Sequence, residues 1–238
     1  RLPMIPQPSS VAPRPVGFNA VLLFLIPTFR PLLVSKTRPI SVTNCDNRII
    51  AAIFSRALGP AMEALLSPNQ KGFVPHRQGT DHVRGITDSY YGALTTGQQK
   101  FFLLLDTKKA FDSIDHAFVL AVMARVGLPD WLISAVTGLL DQVTVRPLLP
   151  GGLGGRIEIH RGVKQGCPLS PLLFVPCYDV LLTYLSELPG HEYFAFADDL
   201  AIALYNTPDV VSLPFGVPYT HPSLPTPLSS SPADFSST

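Results

Sequence analysis

The order of hydrophobic patterns along this chain predicts an α+β fold, with helices packed on an antiparallel sheet. Short apolar runs of strand length alternate with longer stretches of helical character. Near the end of the patterned region "YFAFA" and "LAIAL" meet as the two arms of a hairpin. At 238 residues, 46% apolar and 15% charged, the chain has enough material for one large domain or two small ones.

The elements follow in order. Residues 1–19 read as a disordered leader, because "RLPMIPQPSSVAPRPV" is proline-rich and without periodicity. A strand is expected at 21–26, then a loop around "KTRPISV". A helical stretch should run from Asp46 to Leu66, with Gly59-Pro60 forcing a break or kink. A second helix is expected from Thr80 to Leu94, and "FFLLLD" at 101–106 as a short buried strand. Ser113 can cap a helix through Arg125 that Gly127 terminates, and Pro129 suits the first turn of a helix to 141. "QVTVRPLL" and "RIEIHRG" alternate like strands around the turn-rich "LPGGLGG", which predicts a hairpin. Ser170-Pro171 opens an apolar helix to about Leu185 that Pro176 should bend. The domain should span 20–204, and residues 205–238, full of Pro and Ser, read as a disordered tail.

Composition narrows the function classes. Net charge is +1, yet all 18 Lys and Arg residues lie at or before Lys164. Cys45, Cys167 and Cys177 are too few and too irregular for a disulfide framework or a zinc knuckle, and read as reduced thiols of an intracellular protein, in nucleus or cytoplasm. The run "AVLLFLI" stops at Pro27, far short of the ~20 apolar residues of a membrane helix. It also lacks the charged leader and cleavage site of a signal peptide. A start at Arg1 rather than Met points to a fragment or a processed product.

Three stretches carry chemistry. "FAFADDLAIAL" (194–204) sets Asp198 and Asp199 in an apolar run. Alone, such a pair reads first as a turn, which Asp favours. "LLLDTKKAFDSIDH" ends a second apolar run in Asp106. Two strand ends carrying Asp can converge on one sheet edge, and unit charges ~4 Å apart repel by about 4 kcal/mol at an effective dielectric near 20. Convergent carboxylates therefore call for a divalent cation, and hard oxygen donors suit Mg²⁺ better than zinc. "RGVKQGCPLSPLLF" (161–174) is a basic, Gly-containing turn into a helix start, where backbone N–H groups can face a ligand and Gly166 permits close approach. Lys108 and Lys109 fit a solvated approach as well as a phosphate contact, Asp112 and Asp115 read as helix N-terminal acids, and no histidine has ligand spacing.

Together with "RPISVTNCDNRIIAAIFSRAL" and "SPNQKGFVPHR", these stretches give a collinear set that resembles the reverse transcriptase domain of non-LTR (LINE-type) retrotransposons, across about residues 20–204. The resemblance implies the palm and fingers of a right-hand polymerase, with an antiparallel palm sheet packed on helices. It implies catalytic, metal-holding carboxylates at Asp106, Asp198 and Asp199, the last in a supporting role, and two Mg²⁺ ions with Mn²⁺ as a substitute. Partners would be an RNA template, a DNA primer and deoxynucleoside triphosphates. Phe111 matches the aromatic gate under the incoming sugar, Gln165 and Gly166 the residues beside nucleotide and template base, and Arg38 the arginine that contacts the triphosphate.

The chain departs from the family at Thr28, where a lysine is usual and Arg30 can substitute, and at His76, where glycine is common. After residue 204 the primer grip and thumb are expected to be missing, and no cation follows Lys164 to grip a duplex. Processive synthesis should therefore be weak or absent. Two alternatives stand beside the polymerase: a catalytically inactive remnant with residual nucleic-acid binding, and an unrelated Mg²⁺-dependent phosphohydrolase. The phosphohydrolase leaves Phe111 and "QGCPLSP" without a reason.

Overall fold

A continuous β-branched and leucine-rich run makes β1 (Ala20–Pro27), and the segment beyond it returns as β2 (Thr37–Thr43) to pair antiparallel, from Val21 opposite Thr43 to Pro27 opposite Thr37. The computed structural model of the chain describes residues 15, 17–27 and 37–205. The loop expected around "KTRPISV" is thus a strand. Pro39 hid it, since proline cannot donate to a ladder, but β2 is the outer strand of its sheet and needs donors on one side only.

Helix α1 (Cys45–Leu65) runs unbroken through Gly59-Pro60, where a break or a kink was expected. Leu58, Gly59 and Met62 are buried there, so packing outweighs the hydrogen bond that Pro60 forgoes. Helix α2 (Thr80–Thr96) follows, then β3 (Phe101–Leu105). β3 was expected to be buried; it is an edge strand, with Leu104 76% exposed.

The helix expected from a Ser113 cap starts later, as α4 (His116–Arg125), behind a separate short α3 (Ala110–Ser113) that ends at Ser113. The cap is Asp115, whose carboxylate accepts from the Ala117 and Phe118 N–H groups at 2.8 and 3.3 Å, while the Ser113 hydroxyl donates back to Ala110 O. Pro129 stands at the N-cap position of α5 (Asp130–Leu140), just before the first turn, and makes no side-chain capping bond. The expected hairpin forms from β4 (Val143–Leu149) and β6 (Ile157–Ile159), with the short β5 (Gly152–Leu153) between. Helix α6 (Ser170–Ser186) leads to β7 (His191–Phe196) and β8 (Asp199–Leu204).

Two sheets result. One has the order β2-β1-β4-β5 with β6 also on β4, and is mixed, because β1 and β4 pair in parallel. The other, β3-β8-β7, is antiparallel throughout. The main core lies among α1, α4, α5 and α6, with Val119, Val136 and Val175 fully buried. A second core forms where Leu182 and Leu185 of α6 meet Leu200 and Ile202 of β8, each such side chain contributing ~2 kcal/mol through burial.

Residues at both expected tails join this fold. Asn19 is buried, and its amide donates to Gly138 O and Asp141 O, satisfying carbonyls at the end of α5. The Tyr205 hydroxyl bonds Glu192, and its ring lies 4.3 Å from the Lys100 ammonium. Of the leader and tail expected to be disordered, residues 1–14, 16 and 206–238 fall outside the described residues, as do the Thr28 and Arg30 positions. Among the described residues no helix is long and apolar enough to cross a membrane, and all three cysteines are free, Cys167 and Cys177 buried.

Candidate active site

Strand register brings the acids together. Leu105 pairs with Leu200, so Asp106 leaves β3 one residue beyond the last pair while Asp199 enters β8 one residue before it. Phe196 pairs with Asp199 and closes a two-residue turn, which puts Asp198 at the hairpin tip. The Tyr178 hydroxyl from α6 donates to the Asp198 carbonyl at 3.1 Å, holding the tip from below.

Electrostatics record the convergence. Burial first, then the charges of Asp199 and Asp106, push the Asp198 carboxyl above the usual carboxylate range, against the opposing pull of its own N–H. Tyr178 is raised too, by burial and then by all three acids, partly offset by a hydrogen bond with Thr107. Among the described residues no group of three or more His, Cys, Asp or Glu side chains is arranged to hold a metal ion by itself.

A cleft of about 940 Å³ opens beside the tip. Arg38, Asp106, Phe111, Gln165, Gly166 and Asp198 line it, whereas Asp199 is exposed and does not. β2 supplies Arg38, the loop after β3 supplies Asp106, and α3 supplies Phe111. The Phe111 ring stacks on Phe174 at 4.5 Å and meets Phe73 edge-on at 6.0 Å. Phe174 continues to Tyr178, so an aromatic column runs from the cleft wall to the hairpin tip.

Gln165 is held at both ends: its carbonyl accepts from Ser41 N–H at 2.7 Å, and its side-chain amide donates to Asp112 at 3.0 Å. Asp112, read as a helix-start acid, thus orients a cleft residue. Gly166 has φ +101°, and a Cβ there would meet Ser41 O at 3.0 Å, so the close approach it permits is to β2. The turn before α6 offers fewer free donors than expected, since the Cys167 and Ser170 N–H groups bond Lys164 O and Cys167 O. Lys164 is spent internally as well: its ammonium donates to Leu139 O, and burial lowers its pKa. Lys108 and Lys109 do line the cleft. His82 is structural, bonding the Asn69 and Ala195 carbonyls.

Sequence reading missed Tyr178, Ser41 and the bond between Asp112 and Gln165. The first has a signal, its i+4 spacing from Phe174 on one face of α6; the others depend on contacts between distant segments.

The family model described as reverse transcriptase (RNA-dependent DNA polymerase) matches residues 28–213. The chain is 33% identical over 200 residues to the "Retrovirus-related Pol polyprotein from type-1 retrotransposable element R2" of Popillia japonica, covering 79% of this chain and 28% of that protein. It is 29% identical over 174 residues to the "Transposon TX1 uncharacterized 149 kDa protein" of Xenopus laevis, covering 73% and 13%. The chain therefore spans under a third of the length of these relatives. Apo telomerase from Candida tropicalis, truncated from its C-terminal domain, shares the fold, with a TM-score of 0.56 at 14% identity over 85% of this chain and 46% of that one. With a family model spanning most of its length and two acid-bearing strand ends meeting at one cleft, this chain belongs to the reverse transcriptase family, in its non-LTR retrotransposon branch.

Proposed function

We propose that this chain is the fingers-and-palm part of an RNA-directed DNA polymerase that extends a DNA primer on an RNA template. The observation that carries the reading is the meeting of Asp106, from the end of β3, with Asp198, from the β7–β8 tip, at one cleft. Two carboxylates, one of them desolvated beside further negative charge, fit Mg²⁺, which binds through one or two protein carboxylates and completes its shell with water and substrate phosphate. Asp106 and Asp198 would hold the ions, with Asp199 adding charge. When bound, Mg²⁺ or Mn²⁺ would activate the primer 3′-hydroxyl and stabilise the leaving pyrophosphate.

The chain's own groups do the rest. The Arg38 guanidinium, exposed at the cleft, offers a planar fork to a triphosphate. The Phe111 ring, braced by Phe174 at the cleft wall, would exclude a ribose 2′-hydroxyl and so select deoxynucleotides. Gln165, fixed by Ser41 and Asp112, presents a rigid wall to nucleotide and template base.

Primer extension on an RNA template with Mg²⁺ or Mn²⁺, lost in Asp198→Ala, tests this reading. Nucleic-acid binding without extension would make the chain an inactive remnant, and phosphate release without primer would make it a phosphohydrolase.

A further inference from the structure

Gln70 has no exposed surface and does not line the cleft, yet its side chain spends all of its hydrogen bonding on the hairpin tip and the loop beside it. Its Oε1 accepts from the Ala197 and Gly72 N–H groups at 2.8 and 2.9 Å, and its Nε2 donates to Ala197 O at 3.0 Å. Ala197 is the residue before Asp198 and sits at φ +56°, a conformation that alanine adopts only under constraint. Both backbone groups of that strained residue are held by one side chain.

The holder is itself anchored. Ser67 N–H donates to the buried Asp179 carboxylate of α6 at 3.1 and 3.2 Å, and the Arg77 guanidinium donates to the Ser67 and Gln70 carbonyls. Asn69 O accepts from Ala195 N–H, and Lys71 N–H donates to Ala195 O, which stitches this loop along β7. Contact is tight: a Cβ at Gly72 would lie 2.1 Å from Ala197 N. The segment 67–77 therefore forms a bracket from α6 and α1 to the turn that carries Asp198.

We infer that Gln70 is a positioning residue that sets the Ala197–Asp198 turn so that the Asp198 carboxyl faces the cleft beside Asp106. The inference deepens the polymerase reading and rests on it for its catalytic consequence. A buried glutamine serving only the core would not need two of its three bonds on the residue next to a candidate metal ligand.

Gln70→Met keeps side-chain length and removes the three hydrogen bonds. The amide of Ala197 should then exchange with solvent at least about tenfold faster, while α6 core amides keep wild-type rates. In RNA-templated primer extension kcat should fall at least about tenfold, with KM for the deoxynucleotide within about twofold. Gln70→Glu, which keeps the acceptor for both N–H groups but sets an oxygen against Ala197 O, should hold the Ala197 amide nearer its wild-type rate and give an intermediate kcat. Unchanged exchange at Ala197 in Gln70→Met overturns the inference. So does faster exchange with wild-type kcat, or loss of protection throughout the protein in both variants. A wild-type protein that extends no primer removes the polymerase reading instead, and local exchange at Ala197 then decides the clamp alone.

Discussion

Asp198 sits half-buried beside two other acids, so its charge is disfavoured in the folded state. A carboxyl whose folded pKa lies above its unfolded value binds more protons in the fold, so stability is greatest in acid and declines as pH rises through the folded pKa. Asp198→Asn should therefore melt higher than wild type at pH 7, by on the order of 2 °C given partial solvent screening, and the gap should close below about pH 4. Thermal melts across pH check it; a variant that melts lower at neutral pH contradicts the crowding of acids at this tip. His76 tells a related story. The position where glycine is common has φ +60°, and an exposed imidazole gains little there. His76→Gly should raise stability by ~0.5–1 kcal/mol, read from the urea midpoint at unchanged m-value. At the cleft, Phe111→Ala should weaken discrimination against ribonucleotides by on the order of tenfold to a hundredfold, measured as the ratio of kcat/KM values. The same truncation opens a gap beside Phe174 and should cost ~3 kcal/mol of stability, so the assay belongs well below the melting temperature.

At the scale of elements, the segment between α1 and α2 has no regular structure of its own and is held by side chains. Arg77 gathers the carbonyls of Glu63, Leu66, Ser67 and Gln70, capping the end of α1 while it shapes the loop. Lysine cannot fork to that many acceptors, so Arg77→Lys should destabilise by ~2 kcal/mol in chemical denaturation. A loss below about 0.5 kcal/mol would mean that water replaces the guanidinium without cost. This loop marks the boundary of what sequence reading reaches. The hairpin with Asp198 at its tip was legible because its alternation is local, and α2, α5 and α6 were legible from caps and periodicity. β2 was not, because Pro39 argues against a strand until an edge position is known, nor was the continuity of α1 past Gly59-Pro60, because burial of Met62 and Leu58 cannot be weighed locally.

For the whole molecule, one cation-dependent property joins the two sheets' cleft to global stability. A divalent ion that binds only the folded state raises stability by RT ln(1 + [L]/Kd), ~2.7 kcal/mol at a hundred times Kd. Mn²⁺ in that excess should raise the melting temperature by about 5–10 °C in wild type and by much less in Asp106→Asn or Asp198→Asn. Equal shifts in all three proteins would place the ion elsewhere. The sequence by itself determined the secondary-structure alternation, the acids at two strand ends, and the motif order that marks a reverse transcriptase, since each is written in neighbouring residues. Only the tertiary structure decided that Gln165 leans on Asp112, that β1 and β4 pair in parallel, and that Gln70 grips a turn 127 residues away. Such contacts join segments whose separation leaves no periodic trace in the chain, and they exist only once burial has brought the segments together.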